Sequence, residues 1–241
     1  MESKNVHPVQ NVLDRINEAA KRGGRSATNI TLVAVSKTKP IEDIVAAYHA
    51  GVRHFGENRA NELAEKAAAL SHLPDIQWHF IGHLQTRQSN PVAEHAHYFH
   101  AVDRIKIAER LSTQLQELDR TLPVFIEVNI SGEESKGGFK CADWENNQEQ
   151  RDTISRAMRS IAALPNIQVC GLMTMAPWTA PEATLRDIFS RLRRLSEWLN
   201  SHFPEQQATE LSMGMSGDFE IAIEEGATCV RVGSAIFGKR G

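Results

Sequence analysis

Thr31-Leu32-Val33-Ala34-Val35-Ser36-Lys37 reads as a short buried strand that delivers one lysine at its C-terminal end. Branched aliphatic residues dominate it, and it is too short for a helix of ordinary length. Pro40 then opens an amphipathic helix that runs to Ala50 and stops at Gly51, so the order is strand, short loop, helix. In parallel α/β proteins the C-terminal edge of the strands is where ligands bind. A lysine on that edge can become a neutral amine if burial lowers its pKa, and such an amine forms an imine with an aldehyde. The alternative is a lysine whose stem lies on apolar surface while its head reaches solvent.

The same alternation continues outward from that stretch. Val9, Val12, Leu13, Ile16 and Ala20 fall at helical spacing ahead of Gly23-Gly24. Further strands are expected near His54-Phe55 (at the strand's end), Ile76–Ile81, Tyr98–Val102, Val124–Ile130, Ile167–Leu172, Glu210–Met213 and Cys229–Val232. Asp103 is placed as the N-cap of the helix after the fourth strand. Each strand but the last precedes a helix, the pattern of a single (β/α)₈ barrel of the TIM type with an extra N-terminal helix. One domain over residues 1–241 is the economical reading, because no linker or repeat divides the chain. The N-terminal helix is expected to cover the outside of the eighth strand.

Composition removes several function classes. The net charge is −3, which gives no broad attraction to nucleic acid or acidic membranes. Arg186, Arg191, Arg193 and Arg194 cluster on an amphipathic helix without interleaved aromatics and read as a solvated face. Cys141, Cys170 and Cys229 are odd in number and lack a C-x-x-C pair, so neither a disulfide framework nor a zinc knuckle is supported. Neither a signal core nor a membrane span is visible, and a cytoplasmic location is expected.

Two glycine- and serine-rich turns follow the seventh and eighth strands: Ser212-Met213-Gly214-Met215-Ser216-Gly217-Asp218 and Gly233-Ser234-Ala235-Ile236. In such barrels these loops commonly bind phosphate, through backbone N–H groups, serine hydroxyls and a helix N-terminus. Ordinary tight turns are the alternative. Arg231 alternates with Gly233 along the eighth strand, so both can face the barrel mouth. An interior salt bridge from Arg231 to Glu57 or Glu127 is its alternative role. A lysine after strand one, a phosphate cup after strands seven and eight, and an arginine between them describe a pocket for pyridoxal 5′-phosphate (PLP).

On this basis the chain resembles the pyridoxal phosphate homeostasis protein family, single-domain relatives of the alanine racemase barrel. The resemblance is carried by Ala34-Val35-Ser36-Lys37-Thr38-Lys39-Pro40, Phe55-Gly56-Glu57-Asn58, Trp78-His79-Phe80-Ile81-Gly82 with Leu84-Gln85, Asn129-Ile130-Ser131, Gly171-Leu172-Met173, Leu211 to Ser216, and Val230 to Gly238. It implies a Schiff base between PLP and Lys37, contact of Asn58 with the ring hydroxyl, and His79 and Met173 along the ring. Ser212, Gly214, Ser216, Gly233 and Ser234 are expected around the phosphate, with Arg231 toward the ring nitrogen. The implied function is buffering of the cofactor and its delivery to apo-enzymes, with effects on amino-acid and keto-acid balance and no established turnover. Two departures stand out: Gln88 replaces a usual lysine, and Gly217 replaces an acidic or serine residue.

A PLP-dependent amino-acid racemase is the competing reading. It needs a base on each face of the substrate carbon. Tyr48 falls on an outer helix and Tyr98 starts strand four at the wrong end, which leaves His83 as the substitute base. An arginine beside the ring nitrogen opposes its protonation and weakens the electron sink. The glycine-rich loop Ser131 to Gly138 reads as a solvated loop, a lid, or a carrier of Lys136 for transient aldehyde binding. His95, His97 and His100 with Glu94 offer a conceivable metal site, but they lie at the N-terminal approach to strand four, away from the expected ligand edge.

Overall fold

The computed structural model describes residues 8–238. Its strands are β1 (Thr31–Val35), β2 (His54–Glu57), β3 (Gln77–Phe80), β4 (Tyr98–Val102), β5 (Leu122–Asn129), β6 (Phe139–Lys140), β7 (Ile167–Met173), β8 (Glu210–Met215) and β9 (Cys229–Val232). They pair in the order β4-β3-β2-β1-β9-β8-β7-β5, and β4 also pairs with β5, which closes the ring. Every pairing is parallel. The two-residue β6 pairs with β5 outside the ring. The fold is therefore the expected closed (β/α)₈ barrel.

Around it lie α1 (Pro8–Arg22), α2 (Ile41–His49), α3 (Ala60–Ala69), α4 (Ser89–His95), α5 (Ile105–Glu117), α6 (Gln148–Ala162), α7 (Glu182–His202), α8 (Phe219–Glu224) and α9 (Ser234–Phe237). Strand alternation decides what each layer holds. His100 of β4 contacts Ser212 of β8, strands that are not neighbours, so their side chains meet across the interior. Their sequence neighbours Phe99 and Leu211 are buried and belong to the outer core under the helices.

The N-terminal helix buries Val9, Val12, Ile16, Ala19 and Ala20. It packs chiefly on α8 and α9, the short helices that precede and follow β9 in the chain. Arg15 pairs with Glu220 at 2.9 Å and Arg22 with Glu224 at 2.6 Å along that seam.

Three local expectations are corrected. His54 opens β2 instead of closing it. Arg104, not Asp103, sits at the N-cap of α5, without a side-chain cap. Asp103 instead accepts from Arg104 at 2.5 Å and pairs with His83 at 2.8 Å, so its carboxylate is spent on side chains. The addition of β6 was not foreseen. The arginines of α7, expected as a solvated face, are taken up by carboxylates: Arg186 by Glu224, Arg191 and Arg194 by Glu145, and Arg193 by Glu197. Among the described residues no helix is long and apolar enough to cross a membrane.

Candidate functional site

A cavity of about 470 Å³ opens at the C-terminal ends of the strands. Lys37, Asn58, Ser216, Arg231, Gly233 and Ser234 all line it. Residues far apart in sequence meet because the turn after β1, the turn after β8 and the start of α9 adjoin in the ring.

On the cup side, the Ser216 hydroxyl accepts the Gly233 N–H at 3.1 Å, which ties the two turns together. The amides of Ser234 and Ala235 open α9 and have no acceptor within that helix. On the opposite wall, Gly82 touches the Asn58 backbone. A Cβ at Gly82 would lie 2.3 Å from the Asn58 carbonyl oxygen, so only glycine permits this approach. Asn58 is thereby held at the cavity edge, and its Oδ1 is shut from solvent without a hydrogen-bond partner among the described residues. A buried acceptor left unpaired is costly unless something else satisfies it.

Beneath the cavity runs a chain of polar side chains. His54 Nδ1 lies 2.9 Å from His79 Nε2, His79 Nδ1 lies 2.8 Å from His100 Nε2, and His100 Nδ1 lies 2.8 Å from Ser212 Oγ. Arg231 donates to Ser212 Oγ and, at 3.0 Å, to the Thr174 carbonyl. Burial pushes the pKa of His79 and His100 well down, with the neighbouring histidines adding to it at His79 and Arg231 at His100, and burial lowers His54 too. The rings are therefore neutral, each with one N–H, and all must donate in the same direction along the chain. Burial also lowers Arg231 from its ordinary value, opposed by Cys229, Asp218 and Glu127. An arginine nonetheless keeps its charge. Glu127 is raised to about 7 by burial and by Asp103, against the pull of Arg231.

Four residues expected at the cofactor lie outside the cavity lining. His79 is 2 % exposed and lies in the histidine chain below the cavity. Ser212 likewise holds Arg231 from beneath and does not reach the cup. Gly214 has φ +94° and lets β8 approach α8; a Cβ there would lie 2.7 Å from Ala222 Cβ. Met173 is buried, and Met175 lines the cavity in its place. The alternative salt bridge from Arg231 to Glu57 does not form, since Glu57 binds Lys66 and Ser36 instead. The exposed Trp178 at the rim was missed, as was Lys39. Both belong to loops, where periodicity carries no signal.

Other expectations fall as follows. Tyr48 donates to Asp75 at 2.6 Å on the outside, and Tyr98 stacks on His79 at 4.5 Å in the lower barrel. His83 is exposed and paired with Asp103, away from the cavity lining. Lys136 pairs with Glu133 at 2.5 Å and donates to the carbonyl of Met175, a cavity residue. His97 accepts from the Trp78 amide while His100 points inward, and no cluster of possible metal ligands forms among the described residues.

Fold and site together define a class, the barrel of alanine racemase type. The family model for the N-terminal domain of alanine racemase matches residues 11–241. A pyridoxal phosphate homeostasis protein of Pseudomonas aeruginosa is 44% identical over 232 residues, covering 96% of this chain and 94% of its own. The one from Escherichia coli K12 is 40% identical over 240 residues, covering 98% and 96%. The chain belongs to the pyridoxal phosphate homeostasis protein family. Among solved structures, PipY of Synechococcus elongatus with PLP bound superposes with a TM-score of 0.79 at 36% identity, covering 92% of this chain and 100% of that one. Alanine racemase of Corynebacterium glutamicum shares the fold alone, at 17% identity and a TM-score of 0.63 over 61% of its length.

Proposed function

We propose that this chain binds pyridoxal 5′-phosphate in the mouth cavity and serves PLP homeostasis, holding the cofactor in the cytoplasm and delivering it to apo-enzymes. The observation that carries the reading is the convergence of Lys37, the Ser216–Ser234 cup, Arg231 and Asn58 on one cavity. The residues present fit the group. Serine hydroxyls and the first amides of α9 suit a phosphate, and the Asn58 oxygen suits a ring hydroxyl that donates. The family's names and the PLP-bound neighbour support the same cofactor.

When bound, the cofactor supplies an electrophilic aldehyde and an electron-poor ring. This chain does the rest. Lys37, lining the cavity, would supply the amine that holds such an aldehyde as an imine, with water released. Arg231, fixed by Ser212 and Thr174, places a permanent positive charge in the cavity wall, where it would disfavour protonation of a ring nitrogen beside it. That charge suits retention over turnover. Both tyrosines lie outside the cavity, so a racemase with a tyrosine second base is not favoured. Titrating the protein with PLP should develop an absorption band distinct from the free aldehyde. Lys37→Ala should lose that band, and a band that persists in the variant contradicts the assignment.

A further inference from the structure

Ser36-Lys37-Thr38-Lys39 is a β-turn, closed by the Lys39 N–H donating to the Ser36 carbonyl at 3.0 Å. Lys37 occupies its first corner and Thr38 its second. Thr38 has φ +64°, a left-handed backbone that β-branched residues avoid and that turns of this kind reserve for glycine. Something must hold it there.

A buried ion-pair group grips the turn on both sides of Lys37. Lys66 Nζ donates to the Ser36 carbonyl at 2.8 Å and to Glu57 at 2.8 Å. It also donates to Glu62 Oε1 at 2.7 Å. That same Glu62 oxygen accepts the Thr38 N–H at 2.6 Å. The peptide groups before and after Lys37 are thus both fastened to α3. Across the turn, Lys39 Nζ donates to the Phe237 carbonyl at 2.8 Å, tying the far side to the last residue of α9. Burial opposes the charge on Glu62, but the bonds from Lys66 and Thr38 outweigh it and hold its carboxyl below the ordinary range.

None of Glu57, Glu62 and Lys66 lines the cofactor cavity. Glu62 and Lys66 face a groove on the outer side of the turn instead. A buried ion-pair network is weak evidence for stability, because desolvation offsets the attraction. Its placement around one residue's two peptide groups calls for a different role. We propose that Glu62 and Lys66 are positioning residues for Lys37, gripping the strained turn so that the amine is aimed into the cavity. The inference rests on the cofactor reading above. Glu62 acts through the backbone and touches neither aldehyde nor phosphate.

The test compares wild type, Glu62→Ala, Glu62→Gln and, as a control facing the same groove, Glu65→Gln. Amide exchange at Thr38 and Lys39 is followed by NMR on the protein without PLP. The rate of band formation is followed after mixing with PLP, and total binding by equilibrium dialysis. In Glu62→Ala, exchange at these two amides should rise about tenfold or more. Band formation should slow by about tenfold or more, as for a misplaced reacting group. Total binding should stay within about threefold, since the phosphate cup is intact. Glu62→Gln, which keeps an acceptor oxygen, should recover most of the rate, and Glu65→Gln should match wild type. A folded Glu62→Ala with wild-type exchange and wild-type band formation overturns the inference. So does one that loses total binding in parallel with the band, because the pair would then support the whole pocket. A wild-type chain that forms no band contradicts the cofactor reading itself, while the exchange data still judge the grip on the turn.

Discussion

The upper and lower halves of the barrel interior are both polar, yet they treat polarity in opposite ways. In the lower half His54, His79, His100 and Ser212 satisfy one another in sequence, and Tyr98 stacks flat on His79. In the upper half the Asn58 oxygen is unpaired, and serine hydroxyls and helix-start amides face an open cavity. Arg231 belongs to both: its hydrogen bonds point down into the chain, and its surface faces up into the cavity. The difference separates scaffold from site. In this interior the groups that answer each other hold the structure, and those left open at the cavity are the ones a ligand can meet.

Substitutions in the two halves should therefore fail in different assays. His100→Ala removes a ring bonded on both sides and leaves His79 and Ser212 without that partner. Urea unfolding should show a loss of about 3–5 kcal/mol, from the cavity plus unpaired buried groups. A loss under about 1 kcal/mol would mean the histidine chain is not structural.

Glu127 sharpens the comparison through pH. Its folded-state carboxyl keeps its proton up to about 7, whereas an unfolded one releases it near 4.5. The folded state then holds more protons between those values, so stability falls as pH rises through that window. Glu127→Gln removes the penalty. Its stability relative to wild type should improve by roughly 3 kcal/mol between pH 4 and pH 8. No pH dependence in that difference would contradict the assigned shift. The histidines act in the opposite sense. Their depressed values stabilise the fold above their unfolded pKa of about 6.5, and that contribution is lost as pH falls below it.

The smallest effect on stability belongs to the upper half. Ser216→Ala should change unfolding by only about 1 kcal/mol, the worth of one hydrogen bond, while weakening PLP affinity about tenfold or more. The reverse pattern, a large stability loss with unchanged affinity, would place Ser216 in the scaffold.

Much of this was legible from residues alone. Eight apolar runs, all but the last followed by a helix, declared the barrel; Lys37 was readable from its place at the end of the first run, and Arg231 because strand alternation fixes which face it takes. What alternation does not carry is depth. His79 and Ser212 sit on the interior face as expected, but the stagger of neighbouring strands places them a layer below the cavity. Gly214 was read as a phosphate contact from composition, and only the packing of α8 shows what its missing Cβ permits. Glu62 and Lys66, four residues apart on α3, look like an ordinary exposed helical pair. They become a buried grip because β1 ends beside that helix, a relation that no local pattern encodes.

The central claim is that one lysine amine and one phosphate cup share the upper cavity. Its most direct test is borohydride reduction of the protein mixed with PLP, followed by mass mapping of the peptides. The account predicts a single reduced adduct on Lys37, abolished by Lys37→Ala. An adduct found on Lys39 or Lys136 with Lys37 unmodified would contradict it.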